Sequence, residues 1–213
     1  MKNLATPIYE DLKEKIASNL LVPHKAFTEV ALASQYGVSR NTAKKALMML
    51  EGDGLVVIEK NKTARINDRS LEEVSSLLEL RGVLEAYIVK NVVKSITDKQ
   101  IAELEALLRE MKELVDKREL LVYLQCDVRF HSVLYDACTN PTAIKMTTQL
   151  KTQLRKYSSR TILIPGRDIG SYNEHVAIFE AVKKRDAEAA GDCMLVHISN
   201  LQKTFTENAG LLL

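Results

Sequence analysis

The stretch LASQYGVSRNTAKKALMMLEGDGLV, residues 32–56, contains the pattern that decides the fold of the N-terminal part. Thr28 suits the N-cap of a helix that ends at Gly37, because glycine adopts the positive φ of a helix C-terminus without strain. Ser39 then suits the N-cap of a second helix. The apolar residues of this second helix recur at i, i+3, i+4 and i+7; they are Ala43, Ala46, Leu47 and Leu50. This spacing predicts one buried face, and therefore two helices joined by a short turn.

The flanking segments extend this pair of helices on both sides. Thr6 and Pro7 suit the N-cap and first position of an earlier helix, in which Ile8 begins an apolar pattern of helical spacing. After the pair, residues 55–67 indicate two short strands around a turn at residues 60–62. A helix, a helix-turn-helix and a hairpin in this order predict a winged helix-turn-helix domain over residues 1–69.

The remainder of the chain shows only helical periodicity, which predicts an all-α helical bundle over residues 70–213. Capping boxes begin at Ser70, Thr97 and Ser171, and residues 161–170 are predicted to form a loop. The predicted helices occupy residues 71–94, 98–117, 119–138, 141–160, 171–185 and 187–207. The fold class is therefore mainly α, with two domains.

The composition is that of an ordinary globular protein, with 46% hydrophobic and 27% charged residues. No apolar run approaches the roughly 20 residues of a membrane-spanning helix. The N-terminal segment contains early acidic residues and no apolar core, unlike a signal peptide, so we expect a cytoplasmic protein. The odd number and wide spacing of Cys126, Cys138 and Cys193 predict buried free thiols.

The second helix of the pair has a polar face opposite its apolar stripe. In a helix-turn-helix, the N-terminal residues of this helix reach base edges in the major groove of DNA. The candidate DNA-binding residues are Ser39, Arg40, Asn41, Thr42, Lys44, Lys45 and, in the hairpin, Lys62. Residues 1–70 hold 11 Lys and Arg against 8 Asp and Glu, a balance compatible with nucleic-acid binding.

Each candidate has a chemical role that its side chain can perform. Arg40 can pair with guanine O6 and N7, and Asn41 with adenine or a phosphate. Lys44 and Lys45 suit phosphates, which set affinity rather than sequence preference, and Lys62 can reach a phosphate or the minor groove. The hydroxyl of Ser39 can cap its helix or bind a phosphate. The alternative is a solvated basic face, but the adjoining turn and hairpin favour DNA binding.

Three of the four histidines, His131, His175 and His197, lie on apolar helix faces. Asp127 lies one turn before His131 on the same face, so both can bind one ion. Burial of ionisable groups is unfavourable unless they are paired or bind a metal. These four residues therefore predict a divalent metal site inside the bundle, with Zn²⁺, Ni²⁺ or Mn²⁺ as candidate ions. The alternative is a set of hydrogen-bonded core histidines without a ligand.

Two further polar residues lie near this predicted site. Arg81 stands in an apolar stretch; it either meets an anionic effector in the cavity or pairs with an acid at the domain joint. Glu174 precedes His175, but the motif Ser171-x-x-Glu174 accounts for it as part of a capping box. We therefore expect Arg81, and not Glu174, at the effector site. The remaining histidine, His24, is expected to be a surface or loop residue.

Residues 32–56 resemble the signature of the GntR family of regulators. Later fragments resemble its FadR-type branch, which has a helical FCD ligand-sensing domain. These fragments are ELRGVLEAYI at residues 79–88, DVRFH at 127–131, NEH at 173–175 and VHI at 196–198. The resemblance covers nearly the whole chain in order, and the six predicted helices are similar to the shorter, VanR-like version of the domain.

The resemblance implies a ligand-controlled transcription regulator, commonly a repressor, and not an enzyme. It implies a homodimer that binds a short palindromic operator in double-stranded DNA. It also implies that a small organic acid enters the C-terminal domain, beside a metal in many members, and changes operator binding. Asp127, His131, His175 and His197 match the Asp-x3-His…His…His pattern of the family.

The sequence departs from the family pattern within the predicted recognition helix. The usual Arg-Thr-Pro-Val-Arg-Glu-Ala-Leu run reads RNTAKKAL at residues 40–47, so Lys44 replaces an arginine and Lys45 a glutamate. The hairpin tip has Asn61 and Lys62 where glycine is common. Lysine cannot reproduce the planar two-pronged contact of arginine, so we expect an operator that differs from those of relatives.

Three rival functions remain open at this point. In a metalloenzyme, an open position on the ion would activate water, but no general base stands beside the predicted ligands, and an enzyme rarely needs a DNA-reading domain. In a metal sensor, the ion itself would be the signal and organic acids would have no effect. With a purely structural ion, chelation would melt the C-terminal domain without any effector response.

Overall fold

A computed structural model describes residues 4–18, 20, 26–60 and 63–212 of the chain. The chain divides into two compact units, Met1–Ser70 and Leu71–Leu213. The elements of the first unit are α1 (Ala5–Ala17), β1 (Ala26–Thr28), α2 (Glu29–Tyr36), α3 (Arg40–Gly52), β2 (Val56–Ile58) and β3 (Thr63–Ile66). Those of the second are α4 (Leu71–Ser95), α5 (Asp98–Lys117), α6 (Leu120–Ala137), α7 (Pro141–Thr161), α8 (Arg167–Lys183), α9 (Ala187–Glu207) and α10 (Ala209–Leu212).

Local signals set the ends of α2 and α3, as the sequence predicts. Thr28 Oγ1 accepts a hydrogen bond of 3.1 Å from the backbone N–H of Ala31 at the start of α2. Gly37 ends that helix with a φ of 63°. Ser39 Oγ accepts a 3.1 Å bond from the backbone N–H of Thr42 and so caps α3. The turn between the two helices is therefore encoded by short side chains and one glycine.

The apolar stripe of α3 lies at the centre of the first core. Its four predicted members are all buried, and they pack with the apolar face of α1. The residues of α1 in this cluster include Ile8, Leu12 and Ile16. Because the stripe faces inward, the opposite face of α3 is left for solvent or a partner.

A small sheet covers the first core, and it has one strand more than the sequence predicts. Its three described strands run antiparallel in the order β1-β3-β2. Phe27 of β1 and Ile58 of β2 both pair with Ala64 of the central strand. The strand β1 was not predicted because it has only three residues, of which Phe27 alone is buried, and this is too short a stretch for a strand pattern to be recognised.

Two predicted helix starts are wrong. The helix α1 begins at Ala5, so Thr6 lies inside it rather than at its N-cap. The helix α8 begins at Arg167, directly after Gly166 with a φ of 82°, so Ser171 lies within the helix and forms no capping box. The Ser-x-x-Glu motif occurs inside helices as well as at their ends, and only the position of the preceding turn separates the two cases.

In the described part of the second unit, all the regular secondary structure is helical. The bounds of α5 and α9 are those predicted, and the capping box between Thr97 and Gln100 is present. The predicted ends of α4, α6 and α7 differ from the structure by a single residue. Residues 167–170, predicted to be loop, form the first turn of α8, and the short α10 follows the six long helices.

The long helix α4 lies at the middle of the second unit and packs against α9, α7 and α6. The helix α8 in turn packs against α9 and α5. A large apolar cluster fills the space between these helices, and its two largest fully buried members are Tyr123 and Phe130. The faces of α4, α6, α8 and α9 that meet here also contain the polar residues described below.

The three cysteines are free, as the sequence predicts, but only Cys126 is buried, while Cys138 and Cys193 are half-buried. Burial raises the pKa of Cys126 to about 11, so this thiol stays protonated and behaves as a small apolar group. Among the described residues, no helix has both the length and the apolar character that crossing a membrane requires.

Candidate functional site

Four polar side chains from three helices converge inside the second unit. Asp127 and His131 lie one turn apart on α6, His175 lies on α8 and His197 on α9. Each offers a ligand atom within 4.8 Å of those of the others. The ring centroids of His175 and His197 lie 4.6 Å apart, and each lies 5.5 Å from that of His131. We call these four residues the histidine cluster; they are the four that the sequence selects.

The histidine cluster is almost completely shielded from solvent. His131 and His175 are fully buried, and His197 is 4% exposed. The side chain of Asp127 keeps 23% of its exposure, so one edge of the cluster is open. Three imidazoles this close together in an apolar core would be unfavourable without hydrogen bonds or a bound ligand.

Each imidazole directs its Nδ1 atom toward an oxygen outside the cluster. His175 Nδ1 lies 2.7 Å from the backbone carbonyl oxygen of Ser171, and His197 Nδ1 lies 2.7 Å from Glu174 Oε2. His131 Nδ1 lies 2.7 Å from Glu85 Oε2, although without the alignment of a hydrogen bond. Oxygens at Nδ1 hold a proton there and leave Nε2 with a free lone pair, as in metal-binding histidines.

The Nε2 atoms show what the cluster lacks. Within the described part of the chain, Nε2 of His131 and Nε2 of His175 are buried and have no hydrogen-bond partner. Asp127 Oδ1 lies 3.2 Å from His175 Nε2, without the alignment of a hydrogen bond. Buried nitrogens without partners require an explanation, and a metal ion supplies one because each Nε2 would become a ligand. The donor set therefore fits a divalent ion.

The electrostatics of the cluster favour the protonation states that metal binding needs. Burial lowers the pKa of His131, and it lowers the pKa of His197 to about 3 with help from the neighbouring His175. Burial opposes ionisation of Asp127, but His175 and His131 outweigh it and lower the pKa of this carboxyl. Near neutral pH the site thus offers neutral imidazoles at His131 and His197 and a carboxylate at Asp127, which are the forms that bind a metal.

The sequence missed the role of Glu174. Its carboxylate accepts two hydrogen bonds from Arg167, of 2.9 and 2.8 Å, and one of 2.8 Å from Asn200, besides facing His197. Burial raises the pKa of Glu174, but the bonds from His197 and Arg167 outweigh burial and hold it at about 2. Glu174 is therefore an ionised support for His197. The assignment to a capping box hid this role.

Glu85 is a second support that the sequence did not reveal. It is 1% exposed, and its Oε1 accepts a 2.6 Å bond from Nε of Arg81, itself 4% exposed. Its other carboxylate oxygen faces His131. Arg81 thus pairs with an acid of its own helix, inside the second unit, and not with one at the domain joint. The one available signal was the i, i+4 spacing of Arg81 and Glu85 on an apolar face.

The predicted DNA-binding residues of α3 share one exposed face in the first unit. Those that the structure describes are Ser39, Arg40, Asn41, Thr42, Lys44 and Lys45, of which Thr42 alone is half-buried. We call this set the α3 polar face. Ser39 Oγ caps α3 and also lies 2.8 Å from Thr42 Oγ1. Lys62 and Asn61, the predicted hairpin tip, lie outside the described residues.

Comparisons with known proteins agree with this architecture. The family described as "Bacterial regulatory proteins, gntR family" matches residues 4–66, and the FCD domain matches residues 76–200. The chain is 24% identical to the HTH-type transcriptional repressor RspR of Escherichia coli, over 92% of this chain and 86% of that protein. It is 25% identical to the HTH-type transcriptional repressor NanR of Salmonella newport, over 96% of this chain and 86% of that protein.

A solved structure has the same fold over the full length. The structure of E. coli McbR/YncC matches with a TM-score of 0.76 and 19% identity, covering 100% of this chain and 98% of that one. At this identity the likeness shows the fold alone. The FCD match covers more than half of the chain, and the winged helix-turn-helix precedes it. The chain therefore belongs to the gntR family of bacterial transcription regulators, in the branch that carries an FCD domain.

Proposed function

We propose that this regulator binds operator DNA with an affinity that a small carboxylate effector controls, and that the effector binds at a divalent metal ion in the FCD domain. The histidine cluster carries the proposal, because two of its Nε2 atoms, those of His131 and His175, are buried without partners among the described residues, and the four ligand atoms lie close together. The family supplies the regulator role, and the two relatives quoted are named repressors. Repression is therefore the expected mode of action.

The α3 polar face is the proposed reading surface for DNA. Arg40 and Asn41 stand at the N-terminal end of α3, where a recognition helix meets base edges, and both are exposed. Lys44 and Lys45 lie one turn further along and would bind phosphates. Ser39 is occupied by its own helix cap, so its contribution to DNA binding would come through the orientation of the first turn of α3.

The histidine cluster is the proposed metal site, with Asp127, His131, His175 and His197 as protein ligands. Zn²⁺, Ni²⁺ and Mn²⁺ all suit three imidazoles and one carboxylate. When bound, the ion would act as a Lewis acid that accepts the carboxylate of an effector. Glu85, Glu174 and the carbonyl of Ser171 would fix the orientation of the three rings.

Control of DNA binding would follow from the symmetry of the operator. We expect a homodimer whose two winged helix-turn-helix domains contact two half-sites of a palindrome. A change in helix packing of the FCD domain on effector binding would alter the separation of these domains. A coupling free energy of about 1–3 kcal/mol would change operator affinity about 5–150-fold.

The test uses the full chain and an operator selected from random DNA duplexes. Protein freed of metal is reloaded with Zn²⁺, small carboxylates are screened by thermal shift, and the hits are added to mobility-shift titrations. We expect zinc retention, stabilisation by at least one carboxylate and a change in operator affinity. Asp127→Asn removes one ligand, whereas Asp136→Asn alters an exposed acid of the same helix. Equal zinc affinity of these two variants would contradict the proposed site.

A metal sensor is the second candidate, because the same buried nitrogens would serve an ion that is itself the signal. The two functions differ in one titration. In a metal sensor, physiological changes in free zinc alter operator affinity and the zinc-loaded protein ignores every carboxylate. In the proposed regulator, the zinc-loaded protein responds to a carboxylate at constant zinc.

A further inference from the structure

Beyond the histidine cluster, the interior of the second unit holds polar atoms that the proposed metal would not satisfy. Tyr135 Oη on α6 and Thr147 Oγ1 on α7 are buried and have no hydrogen-bond partner among the described residues. Thr147 is fully buried, so no solvent reaches its hydroxyl. Phenylalanine and valine would fill the same space without an unpaired hydroxyl. Tyr123 Oη is a third such hydroxyl. The two on Tyr135 and Thr147 also lie near a lysine, and this combination indicates a ligand that contacts them.

Lys151 adds a cation to this region. It lies four residues after Thr147 on α7, so the two side chains share one face of the helix. Its Nζ atom lies 5.1 Å from the ring centroid of Tyr135, whose ring lies 6.2 Å from that of His131. Tyr135 thus connects Lys151 to the histidine cluster, and we call Tyr135, Thr147 and Lys151 the α7 anchor.

Among the described residues, no anion is paired with the ammonium group of Lys151. Burial lowers the pKa of this ammonium group, and the carboxylates of Glu85 and Asp127 only partly offset that effect. Glu85 is already paired with Arg81, and Asp127 belongs to the histidine cluster. No salt-bridge partner for Lys151 occurs in the part of the chain that the structure describes.

The charges of the whole region lead to the same conclusion. The charges of Arg167 and Glu174 cancel each other. With a divalent ion bound and Lys151 protonated, the remaining cations are the ion, Arg81 and the half-buried Lys151, and the remaining anions are Glu85 and the half-buried Asp127. Positive charge then exceeds negative charge, and such an excess is unfavourable in a low-dielectric interior. A ligand with one carboxylate would neutralise part of this excess, whereas a ligand with a carboxylate at each end would neutralise it fully.

We propose that the α7 anchor binds the far end of the effector, and that the effector is a short dicarboxylate. One carboxylate meets the metal, and the other accepts hydrogen bonds from Lys151 Nζ, Tyr135 Oη and Thr147 Oγ1. The anchor residues therefore determine specificity, since a monocarboxylate would leave all three donors without an acceptor. This inference rests on the proposed metal-dependent effector site.

The test compares matched acids on the zinc-loaded full chain by isothermal titration calorimetry. The pairs are malonate with propionate, succinate with butyrate and glutarate with valerate, each differing by one carboxylate in place of a methyl group. We expect at least one dicarboxylate to bind ten times or more tightly than its partner. Lys151→Met should reduce this preference to less than threefold, and Tyr135→Phe with Thr147→Val should reduce it in part.

Two controls separate this inference from the proposed metal site. Lys145→Met changes an exposed lysine of the same helix and should keep the preference of the wild type. Zinc affinity, measured by competition with a chromophoric chelator, should be the same in Lys151→Met and the wild type, which also shows that the variant is folded. Failure of the wild type to bind zinc overturns the metal site and with it this inference. If zinc binds but no dicarboxylate is preferred, or if Lys151→Met keeps the preference, the α7 anchor alone is wrong.

Discussion

The α3 polar face and the histidine cluster are both groups of polar side chains on helices, but they lie in opposite environments. Arg40, Asn41, Lys44 and Lys45 are exposed, and solvent satisfies them whether or not DNA is bound. The members of the histidine cluster lie in an apolar core, where only neighbouring groups or a ligand can satisfy them. Exposed polar groups thus say little about a ligand, while buried groups without partners point to one.

The largest expected effect is on metal affinity. It should be larger for a proposed metal ligand than for a residue that only orients a ligand. Glu85→Gln should weaken zinc binding about 10–100-fold, because removal of a partner that orients a ligand has this effect. His131→Gln removes a ligand itself and should weaken it further. Chelator competition measures both, with Asp136→Asn as an exposed control on the same helix. Equal zinc affinities for His131→Gln and the control would show that the buried histidine cluster, like the exposed α3 polar face, does not require a bound ligand.

The second expected effect is a pH dependence that only the buried region should show. In metal-free protein the pKa of His197 is lowered to about 3, and burial also lowers that of His131. Unfolding below pH 6.5 therefore takes up protons that the folded state does not bind. The stability from these neutral imidazoles is complete above pH 6.5 and is lost as the pH falls. His197, whose folded pKa lies well below this window, contributes about 1.4 kcal/mol per pH unit across it, and His131 changes the stability in the same direction.

The measurement is urea unfolding of the second unit at pH 6.5 and pH 5, with a chelator present. The pKa of Glu174 is lowered to about 2, so its contribution to the free energy of unfolding is lost only below pH 4.5. Between pH 6.5 and pH 5, the change in stability therefore comes from the histidines. His197→Asn should reduce the pH dependence by about 1.4 kcal/mol per pH unit. A free energy of unfolding that is the same at both pH values in the wild type would show that the imidazoles are protonated in the folded state.

A region could be predicted from the sequence to the extent that its structure depends on residues close together along the chain. The caps at Thr28 and Ser39 and the positive φ of Gly37 need only neighbouring residues, so the helix-turn-helix could be predicted closely. The histidine cluster could be predicted because polar residues interrupt apolar helix faces. Periodicity identifies such residues within each helix, but it does not show which residues of other helices they contact.

The supports of the cluster could not be predicted, because they depend on which helices are neighbours. Glu85 faces His131 from another helix, and Glu174 faces His197 in the same way. No spacing along the chain relates the members of these pairs. The α7 anchor was hidden for a similar reason, since Thr147 and Lys151 resemble surface residues until α7 is packed against α4.

The third prediction concerns sequence recognition by the exposed region. Arg40→Ala should reduce specific operator affinity by about 1–3 kcal/mol if its guanidinium contacts a guanine. Because Arg40 is exposed, the free energy of unfolding should be unchanged. Mobility-shift titrations with the selected operator and with a scrambled duplex measure the effect. Equal losses on both duplexes would reassign Arg40 to the phosphates.

The smallest expected effect is on the salt dependence of DNA binding, and it distinguishes the lysines of α3, which would contact phosphates, from the residues that would contact bases. Lys45→Ala should weaken binding almost equally on the operator and on a scrambled duplex, because a phosphate contact carries no sequence information. It should also lower the slope of log affinity against log salt by about 1, since one counterion fewer is released. Lys99→Ala, an exposed lysine of α5, is the control and should leave the slope unchanged. An unchanged slope for Lys45→Ala would place this lysine away from the DNA backbone and confine the reading surface to the first turn of α3.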